Sequence, residues 1–223
     1  MIYLPKELEK TKIRGLERRT LDLTELRMMQ PEDEETTQPM IEGHAAVFNQ
    51  RSEELGVCFP FREKIMPGAF LESIQKDDIR ALFNHSPNYV LGRNKAGTLT
   101  LEEDVQGLKV QIHPPDTQFA RDLGVSIKRG DISQMSIGFQ VLTERWYMDN
   151  GEDIREITKA KLYDVSPVTF PAYPQTDVSA RSINEVWQSH KDEEVRQNKA
   201  YAKRQHMKLQ QRRYELMEKE ALG

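Results

Sequence analysis

Short segments in which apolar and polar residues alternate recur from Thr20 to Ala172, separated by clusters of Gly, Pro, Asn and acidic residues. They include 20–28, 40–48, 79–85, 98–102, 108–112, 134–143 and 157–168. A period of two puts successive side chains on opposite faces, so each segment reads as a half-buried strand. Residues 98–102 and 108–112 flank a glycine-containing loop and read as a hairpin. Met148 to Asp153 reads as an exposed loop, and Pro31 to Glu35 as an acidic one. Val168 to Pro174 closes the core. Helical spacing occurs twice: from Pro67, suited to a first helical turn, to about Gln75, and from Thr117 to Arg129, where Phe119, Leu123 and Ile127 recur every fourth residue before Gly130. The pattern predicts a mainly β chain with peripheral helices (α+β), built as a barrel or sandwich.

The pattern changes after Arg181. Residues 183–223 contain no proline, and no glycine before the last position, and are rich in Glu, Lys, Gln, Arg and Ala. They read as one long charged helix with a thin apolar stripe, which needs a partner to be stable. The division is therefore a flank at 1–16, a folded domain at 17–182 and a helical tail at 183–223. The net charge of −4 hides a segregation along this division. Val195 to Tyr214 holds seven Lys or Arg and no acid, so the remainder stands at −4 − 7 = −11. An acidic body argues against general nucleic-acid binding.

No apolar run approaches the roughly 20 residues needed to cross a bilayer. The amino-terminal residues Met1 to Lys10 lead into no apolar stretch of the secretory kind. Cys58, the single cysteine, excludes an internal disulfide and suits a reducing compartment. Between Val57 and Phe59 it reads as buried filler rather than a nucleophile.

Candidate chemistry rests on three residues. Ser136 shares its strand face with Gly138, while Met135, Ile137 and Phe139 point the other way. The glycine leaves room beside the hydroxyl for a substrate backbone. His85 closes the strand 79–85, facing with Ala81 and Phe83. Asp164 lies in an apolar strand on the face of Ser166, where an unpartnered carboxylate is costly and a histidine would satisfy it. Serine, imidazole and carboxylate are the groups of nucleophilic acyl transfer. Each alone has an ordinary reading: a serine on a strand surface, a histidine at a strand end, an aspartate bonded to backbone amides or to an arginine. The serine lacks a GxSxG frame, which disfavours an α/β-hydrolase.

Taken in order, 41–49 (Ile-Glu-Gly-His-Ala-Ala-Val-Phe-Asn), Pro67-Gly68-Ala69-Phe70, Asn84-His85, Leu91-Gly92-Arg93, Asp104 with Gly107-Leu108, Met135-Ser136-Ile137-Gly138-Phe139 and 164–172 (Asp-Val-Ser-Pro-Val-Thr-Phe-Pro-Ala) form a series. The series resembles that of the tailed-phage prohead (capsid maturation) protease family, which is similar to the herpesvirus assembly proteases. The resemblance covers roughly residues 20–181. It implies a closed or partly open β-barrel of assembly-protease type. It also implies His85 as general base, Ser136 as nucleophile, and Asp164 at a position where the family commonly has Glu. Arg93 and the backbone near Gly138 are candidates for the oxyanion site, and His44 reads as packing. No cofactor or metal is implied. The expected activity is a serine endopeptidase acting inside an assembling procapsid in the host cytoplasm. It would cut the major capsid protein or scaffold protein and then itself, without membrane or specific nucleic acid, and the similarity to the viral assembly proteases points to a homodimer. A basic tail helix could dock on acidic scaffold or capsid inner surface, and would offer an exposed site for self-cleavage.

Two other classes compete. A non-catalytic capsid-assembly or scaffolding protein on the same fold would use the long helix for association. A metal-dependent hydrolase would need His44, His85 and His113, which lack H-x-x-x-H or H-x-E spacing.

Overall fold

A computed structural model of the chain describes residues 15–20, 26–29, 39–56, 60–170 and 177–221. In order these form β1 (Glu17–Thr20), β2 (Leu26–Met29), β3 (Met40–Val47), β4 (Phe61–Ile65), α1 (Leu71–Lys76), β5 (Arg80–Phe83), β6 (Ser86–Arg93), β7 (Leu99–Glu103), β8 (Gly107–Ile112), α2 (Gln118–Arg129), β9 (Gln134–Asp149), β10 (Glu152–Val168) and α3 (Asp177–Ala221). Cys58, the acidic loop 31–35, residues 1–14 and the segment Pro171 to Pro174 lie outside the described residues.

The strands make two sheets. One runs β1-β9-β10-β5-β6, with β4 also paired to β10; the other runs β2-β3-β8-β7. The chain is therefore mainly β with helices, as expected, but no ladder among the described strands closes a barrel. The β9–β10 hairpin is the spine of the larger sheet. One edge of β10 pairs with β9, and its other edge takes β4 along Asp153–Ile157 and β5 at Asp164–Val165, both parallel. Ile41, Val110, Leu108 and Ile112 from one sheet join Met135, Ile137, Phe139 and Val165 from the other in a single apolar core.

Local chemistry accounts for the ends of the elements. Thr117 caps α2 by accepting a bond from the Ala120 amide, and Gly130 ends the helix with φ +80°. Leu123 and Ile127 of α2 are buried. Two expectations need correction. The first helix starts at Leu71 and not at Pro67, because Gly68 turns at φ +90° and Glu103 accepts bonds from the Gly68 and Phe70 amides. The loop expected at 148–153 is a two-residue turn, Asn150-Gly151, with φ +52° and +86°. The ladder continues almost to it on both sides.

Residues 1–182 and 183–223 form two compact units. Within α3, every residue from Asn198 to Arg212 is exposed, including Tyr201, Met207 and Leu209. No helix among the described residues is long and apolar enough to cross a membrane.

Candidate active site

The two faces of β9 are chemically distinct. Met135, Ile137 and Phe139 are fully buried in the core, leaving Ser136 and Gly138 on the opposite face. Across the ladder Ser166 pairs with Ser136 and Asp164 with Gly138. Strict alternation would put Leu162 on the same face as Asp164, yet Leu162 pairs with Phe139 and is buried in the core. A bulge reconciles them: Tyr163 is the extra residue between Leu162 and Asp164. Bulges re-aim side chains, and this one turns Asp164 toward the serine.

Gly138 has a different use from the one expected. A Cβ built there would sit 2.2 Å from Asp164 Oδ2 and 3.1 Å from Cγ. The space beside the serine is filled by the carboxylate, not kept for substrate backbone. The glycine is there to admit the acid.

His85 is also placed otherwise than alternation implied. β5 ends at Phe83, and Asn84-His85 is the two-residue turn to β6, with φ +51° and +55°. Left-handed backbone is unfavourable for such residues by about 1–2 kcal/mol each, and needs outside support. Asn84 supplies it. Its amide donates to the Pro167 carbonyl at 3.0 Å, its Nδ2 donates to Thr169 Oγ1 at 3.1 Å, and its Oδ1 accepts from the Thr169 amide at 2.9 Å. The turn is thus clamped to the end of β10, the strand that holds Asp164.

These placements bring the three side chains into one line. His85 Nδ1 lies 2.6 Å from Asp164 Oδ1, and His85 Nε2 lies 2.8 Å from Ser136 Oγ. A carboxylate only accepts, so the Nδ1 proton faces Asp164 and the neutral ring offers its Nε2 lone pair to the serine. Ser136 Oγ is also 3.0 Å from the Arg19 carbonyl oxygen. One hydroxyl proton therefore has two acceptors. Directed to His85 it leaves the oxygen ready to attack; directed to Arg19 it suits an imidazolium whose Nε2–H donates to Oγ. Arg19 belongs to β1, which pairs with β9 in the register Thr20 to Ser136, and Ser136 is 1% exposed.

What holds β1 there is ionic. Arg155 of β10 is fully buried and donates to both oxygens of Glu17, to Glu63 and to Glu144. Arg19 donates to Glu17 at 2.8 Å and to both Glu63 oxygens at 2.5 and 3.1 Å. Burial alone would push the Glu63 carboxyl up, but the two guanidinium groups overcome it and hold it at about 2. Burial likewise opposes the charges of Arg19 and Arg155, and the carboxylates around them raise both.

The remaining candidates separate from this line. Arg93, one of the oxyanion candidates, makes a two-pronged bond to Asp78, with both contacts at 2.7 Å. His44 does more than pack: its Nε2 is 2.8 Å from Asp104 Oδ2, while Asp104 Oδ1 accepts the amides of Gln106 and Gly107. His44 and His85 thus have separate carboxylate partners, and His113 lies in the loop after β8. Sequence reading missed the clamp from Asn84 to Thr169 and the glycine's service to the acid. The Asn84-His85 pair itself was the available signal, since asparagine tolerates the left-handed region.

No curated protein and no solved structure matches the chain. A family model described as caudovirus prohead serine protease matches residues 24–189, a span that includes His85, Ser136 and Asp164 and ends within α3. With most of its length matched in this way, the chain belongs to the prohead serine protease family of the caudoviruses.

Proposed function

We propose that this chain is the serine endopeptidase of phage head maturation, with Ser136 as nucleophile, His85 as general base and Asp164 as the acid that orients the ring. The observation that carries the reading is the unbroken line from Asp164 Oδ1 through the imidazole to Ser136 Oγ, at 2.6 and 2.8 Å. His85 Nε2 takes the hydroxyl proton as Oγ forms a bond to the scissile carbonyl carbon. The resulting imidazolium, held by Asp164, returns the proton to the leaving amine as the peptide bond breaks. Water then attacks the acyl-enzyme with the same histidine as base, releasing the new carboxylate and regenerating the serine.

The substrates in this reading are the major capsid protein or the scaffold protein, met inside the procapsid. The exposed stretch 198–212 of α3 is basic and suited to an acidic partner surface, and in this reading α3 is also the segment cut in self-cleavage. Co-expression with the cognate capsid protein tests the assignment. Replacing Ser136 by alanine is expected to abolish processing, a loss on the order of 10⁶ in turnover. Processing that continues at the wild-type rate would overturn the nucleophile. A wild-type chain that cuts neither capsid protein nor itself would favour an assembly role without catalysis.

A further inference from the structure

We infer that Ser166 is a positioning residue of the same site: it fixes the Asp164 carboxylate and thereby the aim of the His85 ring. The inference rests on the proposed Ser136, His85 and Asp164 roles. Ser166 is fully buried near the C-terminal end of β10, directly across the ladder from Ser136. A buried hydroxyl without a partner is costly, and a small apolar residue would fill such a strand position more simply. The Ser166 hydroxyl donates to Asp164 Oδ1 at 2.7 Å. That is the same oxygen that takes the His85 Nδ1 proton at 2.6 Å.

The carboxylate is consequently held on both sides. Oδ1 receives two donors, one from the ring and one from Ser166, while Oδ2 rests against the bare Cα of Gly138. Rotation of the carboxylate about its Cβ–Cγ bond would break one donor bond or both. The oxygen that His85 needs is thus presented before any substrate arrives, which is the preorganisation that a charge-stabilising site requires. Ser166 acts through Asp164, the partner of its hydroxyl.

The full chain and a fluorophosphonate probe provide the test, because phosphonylation reads nucleophile activation without a known cleavage sequence. Ser166→Ala is expected to label about tenfold more slowly, the loss of one hydrogen bond to a charged group. Ser166→Thr keeps the hydroxyl and is expected to recover the rate. Ser166→Cys keeps the volume with a weak donor and serves if the alanine variant does not fold; it is expected to behave as alanine does. Wild-type rate in the alanine variant overturns the inference. So does a Ser166→Cys variant that labels at the wild-type rate, which is the signature of packing alone. Label on the wild type but not on Ser136→Ala supports the nucleophile independently, so an unaltered Ser166→Ala then removes only the positioning role. No label on the wild type removes both.

Discussion

The β9–β10 hairpin buries polar groups at both ends, and the two ends treat them in opposite ways. Toward the turn, Arg155 and Glu144 join Glu17 and Arg19 of β1 and Glu63 of β4, three carboxylates against two guanidinium groups. Each of these charges faces an opposite one at hydrogen-bond distance, so proton transfer is unfavourable for all of them. Toward the other end, Asp164, His85 and Ser136 hold a single hydroxyl proton between two acceptors. Burial therefore does not distinguish the candidate site from the ionic cluster. The distinguishing property is a proton left with a choice. The two ends are also joined through β1, whose Glu17 and Arg19 side chains lie in the ionic cluster while its Arg19 carbonyl faces the serine.

The largest expected effect comes from unbalancing the ionic end. Replacing Arg155 by methionine leaves the buried Glu17 and Glu63 to share Arg19 and takes a guanidinium from the half-buried Glu144, and removing one member of a buried pair costs about 3–5 kcal/mol. Denaturant unfolding followed by circular dichroism should show that loss. If the comparison is right, the folded variant still takes the fluorophosphonate label, because Ser136, His85 and Asp164 are untouched and the backbone ladder of β1 to β9 still presents the Arg19 carbonyl. An unchanged unfolding midpoint would mean that the cluster is ornamental and that β1 is held by its backbone pairing alone.

Acid offers a gentler probe of the same end. Glu63 is held near 2 in the fold against 4.5 unfolded, so the unfolded chain binds the proton first. A depressed carboxylate contributes stability that is complete above about pH 4.5 and is lost as pH falls toward 2. At about 1.4 kcal/mol for each pH unit between the two values, the loss is on the order of 3 kcal/mol. Glu63→Gln should be less stable at neutral pH, yet flatter across that acid window. A curve equally steep with and without Glu63 would place the acid sensitivity elsewhere.

The contrast also explains how much was legible beforehand. The apolar back face of β9, with Met135, Ile137 and Phe139, is a plain period-two pattern, and it put Ser136 and Gly138 together on the other face. Helix α2 was equally plain, since Thr117, the fourfold apolar spacing and Gly130 all agree. The ionic half of the hairpin was not legible. In 144–156 (Glu-Arg-Trp-Tyr-Met-Asp-Asn-Gly-Glu-Asp-Ile-Arg-Glu) the buried positions include Arg155 and Glu156, so no apolar alternation carries the strands through, and 148–153 reads as an exposed loop. Only Asn150-Gly151 marked the hairpin. The same reason hid β1, whose Glu17 and Arg19 are charged residues doing a core residue's work. At the site, the residue types were readable but their aim was not. A bulge at Tyr163 and a left-handed turn at His85 both break the alternation from which facing is deduced. Neither leaves a mark in a single sequence beyond an asparagine in the turn.

The smallest expected effect in free energy is the most selective one. Gly138→Ala adds a single methyl group, and the nearest atom to it is Asp164 Oδ2 at 2.2 Å, inside any real contact distance. The Gly138 backbone is fixed by β9's pairing to β1 and to β10, so the carboxylate has to give. Turning it aside takes Oδ1 from the His85 and Ser166 donors together. A displacement of about 1 Å in such a line costs about a hundredfold in rate. The methyl group lies away from the apolar core and from the ionic cluster, so the unfolding midpoint should stay within about 1 kcal/mol of wild type. Arg155→Met and Gly138→Ala should therefore dissociate, one losing stability and keeping the label, the other keeping stability and losing it. If Gly138→Ala labels at the wild-type rate, the carboxylate is not held by that close approach, and the division of the hairpin into a saturated end and a poised end fails at its poised end.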